Sequence, residues 1–447
     1  HGRGGGHGAA AVAAMSPPLP APAAAARRRS VLFLQGPLSP LYAMIGDRLA
    51  ARGFAVHRVN LSLGDRLHWR RPGAIDYRGR FEAWGDFVEA LMAREGVTDL
   101  VLHGDRRRYH RVAAERARAR GVTVVATELG YLRPDFMTIE RDATSTGSHF
   151  PADPDHIRRI AAAVPPADLA LRYPGSFAMV AVPDVLYNLT NSFAWFLYPH
   201  FRRHTVYHPV PEYLAWAVRL TTEKRRHRRA RAAAAGLGGD YFVFAMQLEG
   251  DFQIRDHSPF SGMAEALDAA FASFAAHAPP ASRLAVKNHP LDNGLERFGR
   301  TIRRLARHHR LGDRVVFLDG GPLEALVRGS RGVVTVNSSA GLEAIQWGVP
   351  VKTLAPAIYA VPGLVDTAPL DAFWAAPTAP DAALAEAFVR ALAATVQVKG
   401  SIYNRAGREA AADAMAARIA DGTLNEPGGF VDPPPRLAAA RAMGLDL

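Results

Sequence analysis

The chain has 447 residues, 49% of them apolar, no cysteine, and a formal charge of +12 carried on 54 basic residues. That length exceeds one ordinary domain and the apolar share excludes wholesale disorder, while the missing cysteines exclude disulfides, thiolate zinc sites and a cysteine nucleophile. No run approaches the ~20 apolar residues of a membrane-spanning helix, and no recognised binding motif accompanies the positive charge, so nucleic acid is not an expected partner.

Residues 1–29 form a low-complexity tail of Gly, Ala, Pro and His ending in Arg27-Arg28-Arg29, read as disordered, with Met15 a candidate start. The stretch before Met15 is too short and too weakly apolar for a signal sequence, which leads to a cytoplasmic expectation. From residue 31 short apolar runs alternate with helical segments. VLFLQG (31–36), AVHRVNL (55–61), DLVLHG (99–104) and VTVVATE (122–128) read as strands. Helices are expected over 42–53, 81–96 and 109–121. This rhythm predicts a parallel, doubly wound sheet whose ligands lie beyond the strands' carboxyl ends. Polar residues collect at those ends, among them Gly36, Asp65, Asp105 and Glu128.

Residues 151–238 read as a helical connector rich in His, Arg and aromatic residues. A second α/β rhythm follows, with strands over 241–247, 283–289, 314–319, 332–338 and 349–355. The expected domains are an N-terminal Rossmann-like half over 30–150, the connector, and a C-terminal Rossmann-like half over 239–375. Helices and a loosely ordered, Pro-rich tail complete the chain over 376–447. Two such halves with a cleft between them describe the GT-B architecture.

Four clusters at strand ends carry the candidate chemistry. In the first, Glu128 closes a buried strand just before Gly130 and Arg133. Desolvation in a crevice would raise its pKa toward that of a general base; the alternative is a cap for the next element. The second, Gln247-Leu248-Glu249-Gly250-Asp251 with Arg255 beyond, places Asp251 in a loop facing the same crevice, or in a simple turn. Two facing carboxylates suit double displacement at an anomeric carbon.

The third cluster is Lys287-Asn288-His289-Pro290. A cation and an imidazole at a strand end suit a nucleotide phosphate, and a structural histidine is the competing reading. In the fourth, Ser338 and Ser339 precede a helix beginning near Gly341 and carrying Glu343, a preformed anion site or an ordinary serine cap. His200, His204 and His208 recur every four residues, but without a nearby carboxylate they read as structural, and no metal site is expected.

The ordered series FLQGPLSP, VNLSLGD, HGDRRRYHRVA, ELGYLRPDFMTIE, QLEGDFQIRDHSPF, KNHP and NSSAGLEAIQWGVPV resembles the bacterial capsule polysaccharide biosynthesis/export family, in its KpsS/LipB-like branch. The resemblance spans roughly residues 31–365. It implies a retaining β-Kdo transferase that moves Kdo from CMP-Kdo to a lyso-phosphatidylglycerol or oligo-Kdo-lipid acceptor. Asp251 would be the nucleophile and Glu128 the acid/base. Lys287, His289, Pro290, Ser338, Ser339, Gly341 and Glu343 would hold CMP. Gln247, Arg255, Arg133, Gly36, Asp65 and Asp105 would face sugar or acceptor, with Arg255 or Arg133 neutralising the Kdo carboxylate.

The resemblance also implies the N-terminal half as acceptor side, the C-terminal half as donor side, no cofactor, and partners in a capsule assembly or export complex at the inner membrane. The basic run Lys224, Arg225, Arg226, Arg228, Arg229 and Arg231 is either a surface for the anionic leaflet or a solvated helix face. Leu129 stands where related chains carry a second acid, and Ser62-Leu63 where they carry asparagine. Two rival functions remain: a GT-B transferase or epimerase using another nucleotide sugar, and a non-catalytic assembly protein.

Overall fold

The computed structural model describes residue 2 and residues 28–203, 205 and 207–445. The expectations for residues 3–27, Met15 included, and for His204 fall outside the described residues. Among the described residues, twelve strands build two sheets. The first six are β1 (Ser30–Phe33), β2 (Ala55–Asn60), β3 (Ile75–Asp76), β4 (Asp99–His103), β5 (Thr123–Leu129) and β6 (Phe136–Arg141). Then come β7 (Tyr241–Ala245), β8 (Arg283–Lys287), β9 (Val315–Leu318), β10 (Gly332–Thr335), β11 (Val351–Thr353) and β12 (Gln397–Lys399).

The first sheet has the order β12-β6-β5-β4-β1-β2-β3 and the second β11-β10-β7-β8-β9. β1, β4 and β7 are buried along their whole length, because helices cover both faces. The second sheet is parallel throughout. The first is parallel only from β5 to β3; β6 runs antiparallel to β5, and β12 antiparallel to β6. That corrects the expectation of a wholly parallel sheet. Six residues connect β5 to β6, far too few for the crossover a parallel connection needs. The return is tight at Gly130, whose N–H donates to Phe136 O at 2.9 Å. A Cβ there would lie 2.4 Å from the same oxygen, so only glycine fits.

The C-terminal segment corrects the sequence reading further. Helix Ala382–Thr395 joins the core of the second half through Leu384, Phe388 and Leu392. The chain then crosses back: β12 extends the first sheet, and Ala411, Met415 and Ile419 of helix Arg405–Asp421 pack with Val31, Phe33, Val101 and Met137. The Pro-rich end is not loosely held. Asn425 is fully buried and accepts from Arg141 N at 2.7 Å. Arg436, also buried, donates to Phe150 O at 2.7 Å and to Ala357 O at 2.9 Å. Loop carbonyls from both halves, 150–151 and 357–358, find their donors in that one guanidinium.

The segment between the two halves is helical. Helices Phe177–Phe193 and Pro209–Ala235 run antiparallel, with the Phe177 and Trp216 rings 5.4 Å apart and Tyr213 OH donating to Asp184 at 3.1 Å. No described helix is long and apolar enough to cross a membrane. Together the two Rossmann-like halves, the cleft between them and the connector make a GT-B-type architecture.

Candidate active site

A cleft of about 530 Å³ opens where the carboxyl ends of the two sheets face each other. From the first half it is lined by the loop after β4 (Gly104 to Arg107), by Glu128 to Tyr131 and Arg133 after β5, and by Thr144 and Ser145. The second half contributes residues 247–253 after β7, His289 after β8, and Asn337 to Ser339 after β10. Ligands gather at such a place because parallel strands all end there, leaving loops and helix N-termini pointing inward.

Glu128 is the penultimate residue of β5 and leaves 37% of its side chain open to the cleft. Its Oε1 accepts Leu129 N–H at 3.0 Å and lies 3.6 Å from His103 Nε2. Burial raises its carboxyl above the ordinary value, against the opposing charges of Arg107 and Arg133. His103 is buried, its pKa held well below normal by desolvation and then by Arg107, so the ring is neutral. Its Nδ1 meets Thr127 Oγ1 at 3.0 Å, and that hydroxyl meets Tyr42 OH at 2.7 Å. This chain fixes the imidazole behind Glu128.

Asp251 faces Glu128 from the other half. Both readings of its position hold together: its Oδ1 caps helix Phe252–Arg255 by accepting Gln253 N–H at 2.9 Å, and it lines the cleft. Burial raises its pKa, Gln253 N–H opposes this, Glu128's charge adds to the rise and Arg133 again opposes. The charge of Glu128 reaching Asp251, and that of Arg133 reaching both, places the two carboxyls in one electrostatic environment. Arg133 acts on both, and on His289 and Glu343 as well.

His289 is pushed down to about 4 by burial, then by the Lys287 and Arg133 charges. Its Nδ1 accepts Leu291 N–H at 3.1 Å, which assigns the remaining ring proton to Nε2 as a donor. Ser338 caps helix Ser339–Gln346 by accepting Ala340 N–H at 3.2 Å, and both serines line the cleft. Gln247 and Asn337 pair by their amides: Gln247 Nε2 donates to Asn337 Oδ1 at 2.9 Å, and Asn337 N donates back at 3.2 Å. Asn337 Nδ2 also donates to Gln253 O at 2.9 Å, so this pair pins the Asp251 loop.

The cleft thus gathers Glu128, Asp251, Arg133, Asp105, Gln247, His289, Ser338 and Ser339, all singled out from sequence. Asp105 is buried and accepts from Thr144 Oγ1 at 2.7 Å, tying two loops of the first half. Other expected contacts are corrected. Asp65 is buried as a cap, its Oδ2 accepting Leu61 N at 2.8 Å and Ser62 N at 3.0 Å while Oδ1 takes Gln35 Nε2 at 2.9 Å. Gly36 packs on Tyr42, whose ring would be 2.8 Å from an added Cβ. Both border a separate small hollow closed by Tyr187 of the connector.

Lys287 lies beneath the cleft, buried, with Nζ donating to Asn288 O at 3.0 Å. Pro290, Glu343 and Arg255 fall outside the lining, and Arg255 lies over the Phe252 ring at 5.5 Å. Gly341 admits Tyr359, whose hydroxyl would be 2.3 Å from a Cβ, so its smallness serves packing. Sequence reasoning missed Arg106, Arg107, Thr144, Ser145 and Tyr359 as lining residues. Only the arginines left a signal, a basic run directly after a strand end. Among the described residues no group of three or more His, Cys, Asp or Glu side chains is arranged to hold a metal. His208 caps its helix, accepting from Val210 N.

Comparison with known proteins places this geometry in context. Residues 98–403 match the family described as "Capsule polysaccharide biosynthesis protein". The chain is 29% identical over 385 residues to the capsule polysaccharide modification protein LipB of Neisseria meningitidis serogroup A, covering 84% of this chain and 92% of that one. It is 28% identical over 388 residues to the capsule polysaccharide export protein KpsS of Escherichia coli, covering 84% and 97%. Among solved structures, the β-Kdo 2,7-transferase KpsC of Thermosulfurimonas dismutans aligns over 88% of this chain and 99% of that chain, at 14% identity and a TM-score of 0.43.

Proposed function

We propose a function from one premise: the chain belongs to the capsule polysaccharide biosynthesis protein family. The protein is a retaining glycosyltransferase that moves Kdo from CMP-Kdo to a lipid-linked acceptor, lyso-phosphatidylglycerol or its oligo-Kdo derivative. One observation carries the reading: Glu128 and Asp251, from opposite halves, line a single cleft, and the charge of Glu128 reaches Asp251.

In the first step ionised Asp251 attacks the ketosidic carbon and forms a glycosyl ester, while the C–O bond to CMP breaks and its electron pair leaves with the phosphate. The Nε2–H of His289 and the helix start at Ser338 and Ser339 offer donors to that phosphate. Arg133, whose charge reaches both carboxyls, also suits the carboxylate of Kdo. In the second step Glu128, its basicity raised by burial, takes the proton of the acceptor hydroxyl as that oxygen displaces Asp251. Net retention follows from two inversions.

Mass spectrometry of the protein incubated with CMP-Kdo alone tests the reading. A Kdo adduct on Asp251, absent from Asp251→Asn, is expected. Turnover of a UDP-sugar without any reaction of CMP-Kdo, or undiminished transfer by Asp251→Asn, would reject it.

A further inference from the structure

The connector carries a feature that the transfer chemistry leaves unused. Of the sixteen large apolar residues exposed among the described residues, thirteen fall between Leu169 and Leu220. So dense a concentration marks a surface rather than scattered exposure. Phe193, Trp195 and Phe196 stand 78, 66 and 62% exposed at the end of helix Phe177–Phe193 and the turn after it. On that helix Met179, Val182 and Leu186 are exposed at one-turn intervals; on its antiparallel neighbour, Val210, Leu214 and Val218 repeat the pattern.

The second helix then continues, turn by turn, into exposed Lys224, Arg225, Arg228, Arg229 and Arg231. A helix hairpin with exposed apolar residues, tryptophan and phenylalanine among them, that continues into a basic stretch has the composition of an element lying in a lipid interface. The rings and aliphatic chains enter the headgroup boundary and the arginines meet anionic phosphates.

We propose that the ridge formed by Phe193, Trp195, Phe196, Leu214 and Val218 inserts shallowly into an anionic phospholipid surface, with the following basic turns as its electrostatic partner. The same hairpin lends Asp184, Thr205, Tyr207 and Glu212 to the cleft lining. Insertion therefore holds the cleft mouth beside the lipid. That last consequence rests on the transferase reading; the lipid contact itself does not.

Flotation of the full chain with phosphatidylcholine vesicles, with and without phosphatidylglycerol, tests the proposal. The wild type should float with the phosphatidylglycerol vesicles, and F193S/W195S/F196S should lose about tenfold or more of that binding at an unchanged circular dichroism spectrum. L214S/V218S, on the neighbouring helix, supplies a second variant if the first fails to fold. Brominated lipid should quench wild-type tryptophan fluorescence more than that of Trp195→Phe. Failure of the wild type to bind, unchanged binding by a folded ridge variant, or a ridge-dependent dimer without vesicle binding would overturn the proposal. Flotation needs no donor sugar and adduct formation on Asp251 needs no lipid, so the two readings fail separately.

Discussion

The two walls of the cleft are built on different principles. The wall from the first half brings cations: Arg106, Arg107 and Arg133 line it, and burial and the charges of Arg107 and Arg133 pull the ionisation of Glu128 in opposite directions. The wall from the second half is mostly neutral. Gln247, Asn337, Ser338 and His289 are bound to one another or to backbone, and each hydrogen bond fixes the aim of a group. Glu249, Asp251 and Asp292 are the exceptions on that wall, and Asp251 is held in place by a helix cap. One wall therefore sets potential and the other sets geometry, which predicts that damage to each should have a different signature.

The sharpest test removes charge without altering shape. Asp251→Asn keeps an oxygen to cap Gln253 N–H but loses the nucleophile, so transfer should fall by about 10³-fold or more while melting is little changed. Equal losses of activity and stability would erase the distinction between the walls. Glu128→Gln should lower transfer about 10²- to 10⁴-fold, the usual range for an acid–base group, leaving the donor adduct able to form.

Next in size is Arg133→Ala. Its cation lowers the pKa of both carboxyls, so its loss must raise both further. The acid limb of the kcat/KM profile should then shift toward neutral pH, with a loss on the order of tenfold at the optimum. A neutral-wall counterpart, Asn337→Ala, should leave the pH profile in place. It breaks the amide pair that pins the Asp251 loop, costing about 1–3 kcal/mol of stability and raising KM, read by denaturant melts and steady-state kinetics.

The smallest effect lies behind the charged wall. Glu140 is buried, accepts from Tyr131 OH at 2.8 Å and from Ser148, and is pushed up to about 8 by desolvation. Its folded-state pKa exceeds the ordinary carboxylate value, so the folded protein holds a proton that the unfolded chain releases. Stability from this group is present at acid pH and is lost as pH rises toward about 8. Relative to Glu140→Gln, the wild type should lose a few degrees of Tm between pH 5 and pH 9, and parallel melting curves would contradict the assignment.

Legibility in the sequence followed the same division. Glu128, Asp251, His289 and the two serines could be found because each ends or follows an apolar run, and parallel strands converge on one edge. Gly36 and Asp65 satisfied the same rule and still lay elsewhere: Tyr187, 122 residues beyond Asp65, closes that strand end by bonding with Asp65 and Gln35. No local pattern announces so distant a partner. Arg107 was hidden among many arginines, where composition drowned position. β6 was missed because a hairpin return and a crossover begin with the same glycine, and β12 because three residues, Gln397 to Lys399, carry no periodicity.

That short last strand has a consequence for how the molecule is made. The first half cannot be completed from its own contiguous stretch: its outer edge and the cover over Val31 and Phe33 arrive only with residues 397–421. A ribosome that has reached residue 240 has produced a sheet still lacking one rim, and the whole second half must emerge before the rim is supplied. Two covalent passages then join the halves, one through the connector and one through the segment before β12, so any closing of the cleft is restricted to a rotation that both tethers allow.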